Sequence, residues 1–140
     1  MLPLAVLGAF LLQGAATSAV IVNSGSTNAP GYRIEVERSG DSRYVPQPRT
    51  RGFAVGPSSP TSHKIPEALA RRFFSDLETA GALSQLPIER CAKSASFGSS
   101  TFVEFGGERT PDISCPGARD PNTKALMRDV NEILAIFRPQ

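Results

Sequence analysis

Residues 32–45 read YRIEVERSGDSRYV, and the whole fold follows from how this stretch is read. Tyr32, Ile34 and Val36 alternate with Arg33, Glu35 and Glu37, so an extended chain here turns an apolar face one way and a charged face the other. Ser39-Gly40-Asp41 supplies turn chemistry, and Arg43, Tyr44 and Val45 return antiparallel. A hairpin with one apolar face requires a layer to cover it.

Downstream, Pro66 suits the start of a helix, with Glu67 against the positive end of its dipole and Gly81 as the stop. Between them Leu69, Phe73 and Leu77 recur every four residues, flanked by Ala70 and Phe74, while Arg71, Arg72, Asp76 and Glu78 fall on other faces. Leu83, Leu86 and Ile88, spread around Pro87, are expected to cover the end of this helix. Thr101 to Phe105 reads as a strand with Val103 and Phe105 on one face, Gly106-Gly107 as a hairpin turn, and Arg109 to Ser114 as a return that Pro111 either places at a sheet edge or leaves short and broken. Asp120 can then cap a final helix opening at Pro121, with a stripe of Leu126, Val130, Ile133, Leu134 and Phe137 and a stop at Pro139.

Upstream, Val20-Ile21-Val22 reads as a short strand. The order strand, hairpin, helix, hairpin, helix predicts an α+β domain over 20–140: an antiparallel sheet of four to five strands with two helices on one face, in ββα-ββα order. The segment between the first hairpin and helix, PQPRTRGFAVGPSSP from Pro46 to Pro60, carries four prolines and two glycines without helical period, and reads as a loop in which Phe53 and Val55 pin the middle. A loop of this length is a place to look for a binding surface.

The run before the first strand, MLPLAVLGAFLLQGAATSAVIV, holds no charged residue. Leu2 to Leu12 has the length of an export-signal core, and the small residues that follow allow a cut after Ala19 or after Ala16, so residues 1–19 are read as a signal peptide. No Lys or Arg precedes that core, and an uncleaved membrane anchor stays open as the alternative, since spanning a bilayer takes ~20 apolar residues. Either way the expected location is secreted or periplasmic, with membrane contact only if the leader is retained. About 120 residues then remain, enough for one domain with a core of its own.

Cys91 and Cys115 are the two cysteines of the 140-residue chain, and in an exported protein an even count at this spacing predicts a disulfide. Closing a loop of about 25 residues contributes roughly 3.5 kcal/mol on the chain-entropy account. The spacing matches neither C-x-x-C nor a zinc pattern, and the single histidine, His63, offers no ligand set.

The formal charge of +2 is too small to imply a nucleic-acid partner, although it is unevenly placed. Residues 20–72 hold eight basic and four acidic groups, and 73–140 hold seven and nine. No glycine-rich phosphate loop, no RNA-binding strand signature and no G-x-S-x-G elbow is present. Thr61-Ser62-His63-Lys64 only approaches S-x-x-K, having threonine where serine is required. Glu35 and Glu37 share a strand face but stand among arginines, which reads as a charged solvent face rather than a glycosidase pair. No catalytic, cofactor or metal residue is assigned on these grounds.

Y-x-I-x-V-x-x-x-G at Tyr32 to Gly40, A-x-R-F-F-x-D-L at Ala70 to Leu77 and S-x-S-F-G around Phe97 together resemble a group of small exported bacterial proteins of unassigned function. The resemblance covers about residues 20–137, implies an exported α+β domain and transfers no activity. The leading expectation is a non-catalytic exported domain that binds a protein or cell-envelope partner through the Pro46 to Pro60 loop or a sheet edge. Two alternatives stand beside it. One is a hydrolase in which His63 converges with Ser96, Ser99 or Ser100, and the other a membrane-tethered structural protein.

Overall fold

A computed structural model describes residues 16–48 and 57–138. The 32–45 hairpin forms as read: β2 (Tyr32–Glu37) pairs antiparallel with β3 (Asp41–Pro46), with Ile34 opposite Tyr44. Tyr32, Ile34 and Val36 are buried and Arg33, Glu35 and Glu37 exposed. Gly40 closes the turn at φ 95°, a left-handed conformation that a side chain would strain, and its amide donates to the Glu37 carbonyl at 2.9 Å.

The β-branched run upstream becomes β1 (Ser18–Asn23), the central strand, paired with β2 on one side and β5 (Thr101–Phe105) on the other. Its ladder starts before the valine at 20: Ser18 lies opposite Glu37, and Ala19, 1 % exposed, opposite Val36. The backbone amide of Arg38 donates to the Thr17 carbonyl at 2.9 Å.

The chain is α+β, with an antiparallel sheet and two helices, but the sheet has six strands in the order β4-β3-β2-β1-β5-β6 rather than four to five. The added strand is β4 (Thr61–Lys64), which pairs with the free edge of β3 and places His63 opposite Ser42. Its four polar residues carry no alternation, so only the unpaired edge of β3 dictates its conformation. The order is therefore four strands, a helix, a two-stranded hairpin and a helix, in place of two equal ββα units. Much of the Pro46 to Pro60 loop, including Phe53 and Val55, lies outside the described residues, as do the leader up to residue 15 and Pro139.

Helix α1 (Glu67–Ala80) buries Leu69, Ala70, Phe73, Phe74 and Leu77, the expected stripe, with Pro66 at the N-cap and Gly81 at the C-cap. Helix α2 (Pro121–Phe137) is capped by Asp120, whose side chain accepts from the Thr123 amide at 2.8 Å. It buries Leu126, Val130, Ile133 and Phe137, leaving Leu134 partly buried. Both helices join the inner sheet face in one core with Ile21, Ile34, Val36 and Val103. Leu83 and Leu86 are buried as expected, but Ile88 is 74 % exposed and covers nothing. Strand β6 shrinks to Glu108–Arg109. Ahead of Pro111, Thr110 continues the pairing with Val103, its amide donating to the Val103 carbonyl and its hydroxyl accepting from the Val103 amide, both at 3.0 Å.

Candidate functional site

Where β1 ends and β2 and β5 begin, loops 24–31, 92–99 and 114–116 meet one face of α2 around a cleft of about 410 Å³. Tyr32 opens β2 and Tyr44 lies diagonally across the ladder on the same face, so their rings stack with centroids 5.1 Å apart. Met127 and Leu134, two turns apart on α2, supply an apolar wall, and Arg138 stands at the end of that helix. Phe97, 68 % exposed, forms the lip. The turn that carries it needs glycine next in sequence, because a Cβ at Gly98 would sit 2.4 Å from the Ser94 carbonyl oxygen.

Hydrogen bonds between loops distant in sequence fix this end of the molecule. The Ser26 hydroxyl donates to the Ser96 carbonyl at 2.8 Å, and the Asn28 amide donates to the same oxygen at 3.0 Å. The Asn23 side-chain amide donates to the hydroxyls of Ser99 and Thr101 at 3.0 and 3.3 Å, while its oxygen accepts from the Gly25 amide. The disulfide between Cys91 and Cys115 ties the loop after α1 to the loop before α2.

Lys93 is the hub of this cluster. Its ammonium donates to Asp112 Oδ2 at 2.5 Å, to Ser114 Oγ at 2.7 Å and to the Ser99 carbonyl at 2.7 Å, which occupies all three of its protons. Burial pushes the Asp112 carboxyl up, but the bonds from Lys93, from the Ser114 hydroxyl and amide, and from the Thr101 amide outweigh that and hold it well below the usual carboxylate range. A serine beside a lysine suggests nucleophilic chemistry, yet the Ser114 hydroxyl donates to Asp112 Oδ1 at 2.6 Å and the lysine faces an ionised carboxylate. The arrangement as it stands pins two loops together and supplies neither a free base nor a free nucleophile.

The tyrosines are different. Burial, with Tyr44 adding to it and Arg138 opposing, pushes the Tyr32 phenol up to about 12, and burial also raises Tyr44. Both therefore stay protonated donors across the physiological range, and no hydrogen bond to either hydroxyl is found among the described residues.

The serines and histidine considered for hydrolysis are not brought together. Ser99 lies at the cleft, where its carbonyl and hydroxyl bind Lys93 and Asn23, and the Ser100 amide donates to the Ser24 hydroxyl. His63 sits on β4, four strand positions from β5, roughly 19 Å away at ~4.8 Å per strand, with its ring edge-on to Phe137. Glu35 and Glu37 lie on the outer sheet face, where Glu35 is paired across the ladder with Arg43. Among the described residues no group of His, Cys, Asp or Glu could hold a metal ion, and no helix is long and apolar enough to cross a membrane.

Sequence reasoning missed Lys93 and the tyrosine pair as site residues. A signal existed for the first, since Lys93 is the one charge within CAKSASFGSS. No known protein-family model matches the chain, and no curated protein matches it significantly.

Proposed function

We propose that this protein is an exported, non-catalytic binding domain, and that the cleft between the Tyr32–Tyr44 stack and α2 receives an apolar group presented by a protein or cell-envelope partner. One observation carries the reading: an aromatic-walled concavity within the usual size range of ligand sites, whose neighbouring ionic groups are engaged with each other. Export is supported by the Cys91–Cys115 bridge, which belongs in an oxidising compartment, and by the resemblance of the strand and helix motifs to small exported proteins. A leader cut after Ala16 leaves β1 whole, whereas a cut after Ala19 removes two residues of its ladder. The cleft takes precedence over the Pro46 to Pro60 loop as contact surface because it is a shaped, partly apolar site.

The test is capture of partners from the native culture by purified protein and by the variant Phe97→Asp. Phe97 is on the lip and mostly exposed, so the variant is expected to fold as before and lose at least tenfold in capture. Equal capture by both proteins refutes the cleft as the contact surface.

A further inference from the structure

The donors left over inside the cleft narrow the occupant further than its apolar walls do. Among the described residues, two cations, Lys93 and Arg138, and no carboxylate line it. Lys93 is fully occupied by Asp112, Ser114 and the Ser99 carbonyl, and the Asn23 amide by Ser99, Thr101 and Gly25. Among the described residues, three side-chain groups of the lining find no hydrogen-bond partner: the Tyr32 and Tyr44 hydroxyls and the Arg138 guanidinium, whose charge reaches Tyr32. A guanidinium only donates, and a protonated phenol beside it is best used as a donor too. A head that only accepts matches the set.

Resting on the binding reading above, we infer that the cleft takes a free amphiphilic carboxylate of the fatty-acid class, with its head at Tyr32, Tyr44 and Arg138 and its tail along Met127, Leu134 and the Phe97 lip. A volume of about 410 Å³ is near the small end of ligand sites, which fits one short chain. The carbonyl end of α2 opposes a negative charge at this place, and Arg138 offsets it. The gain from the charge is accordingly modest, and the preference for an anion over a neutral analogue is expected to be about five- to tenfold.

Octanoate and octan-1-ol are titrated into the full domain, followed by calorimetry and by backbone amide NMR shifts. Octanoate is expected to bind about five- to tenfold more tightly than the alcohol and to move the resonances of Phe97, Gly98, Ser99 and Met127. Arg138→Met, a change at an exposed side chain, is expected to erase that preference while leaving the denaturation midpoint and the affinity for the alcohol unchanged. Tyr44→Phe is expected to lower octanoate affinity about threefold. Equal binding of acid and alcohol overturns the carboxylate assignment and leaves the cleft reading standing. Binding of a peptide with a free C-terminal leucine in preference to octanoate overturns the fatty-acid source. Failure of every probe to shift the cleft resonances overturns this inference, while the Phe97→Asp capture result decides the broader reading separately.

Discussion

Asp112, at the loop-rich end of the sheet, and Asp129, in the seam between the helices, are both carboxylates withdrawn from water beside cations, but they titrate in opposite directions. Asp112 receives donors on both oxygens from Lys93, Ser114 and Thr101, and is held ionised. Asp129 is fully buried, with Oδ1 accepting from Arg72 at 2.7 Å and from Arg128 at 3.3 Å, while Oδ2 has no partner. Burial, and then the neighbouring Asp76 carboxyl, push Asp129 up to about 6 despite Arg72. Number and placement of donors, rather than the presence of a cation, decide whether a buried charge is comfortable. The loop end is a satisfied polar knot under the cleft. The helix seam keeps one unsatisfied oxygen and a second acid close by, and it tolerates this because Phe73, Leu77, Val130 and Ile133 bury their side chains in the same core.

The largest effect expected on this contrast comes from the covalent tie at the loop end. Replacing Cys91 and Cys115 by serine removes a link across 24 positions and is expected to cost about 3 kcal/mol in chemical denaturation, with the cleft resonances broadened. A loss below about 1 kcal/mol would show that the polar knot holds the loops unaided.

Next in size is Lys93→Met, which leaves Asp112 without its cation. The pair is about one-fifth exposed on each side, so the expected loss is about 2 kcal/mol at neutral pH rather than the larger figure for a sealed pair. Because the Asp112 carboxyl is depressed in the folded protein, its contribution is present above the ordinary aspartate range and lost as pH falls below it. The gap between variant and parent is therefore expected to narrow steadily in denaturation curves taken from about pH 5 down to about pH 2, and a gap that stays constant over that range would mean that Lys93 acts through its methylene packing alone.

Asp129→Asn is expected to be smaller and of opposite sign. An acid raised from the aspartate range to about 6 contributes stability that is complete below pH ~4 and is lost as pH rises through 6. The asparagine keeps an acceptor for Arg72 and offers Asp76 a donor, so the variant should gain about 1–2 kcal/mol at pH 7.5, change little at pH 4, and flatten the slope between. Destabilisation at both pH values would locate the value of Asp129 in its ion pairs with Arg72 and Arg128.

Much of the fold was legible from local pattern. The alternation at Tyr32 to Glu37, the stripes on both helices, the Asp120 cap and the cysteine pairing all appear where the residues place them. What escaped is polar or assembled from afar. Thr61 to Lys64 has no alternation to read, and becomes a strand only because β3 offers an unpaired edge. Ile88 has the composition of a core residue, yet it lies exposed to solvent. Asp129 occupies a stripe position, three residues after Leu126 and four before Ile133, so its spacing did announce burial. The cleft gave no such signal, because its walls come from four strands, a helix and three loops.

The sequence by itself determined the elements: an apolar period of two in the hairpin and of about four in the helices is a local property, fixed by where successive side chains point. It also pointed to the pairing of Cys91 with Cys115. Only the tertiary structure decided which polar groups meet one another, that Lys93 is consumed by Asp112 while the Tyr32 and Tyr44 hydroxyls find no partner among the described residues, and that Asp129 Oδ2 lacks a donor. The physical reason is that burial of an apolar face can be satisfied by any apolar neighbour, whereas a hydrogen bond needs one particular partner at one distance, and only the packed molecule sets that distance.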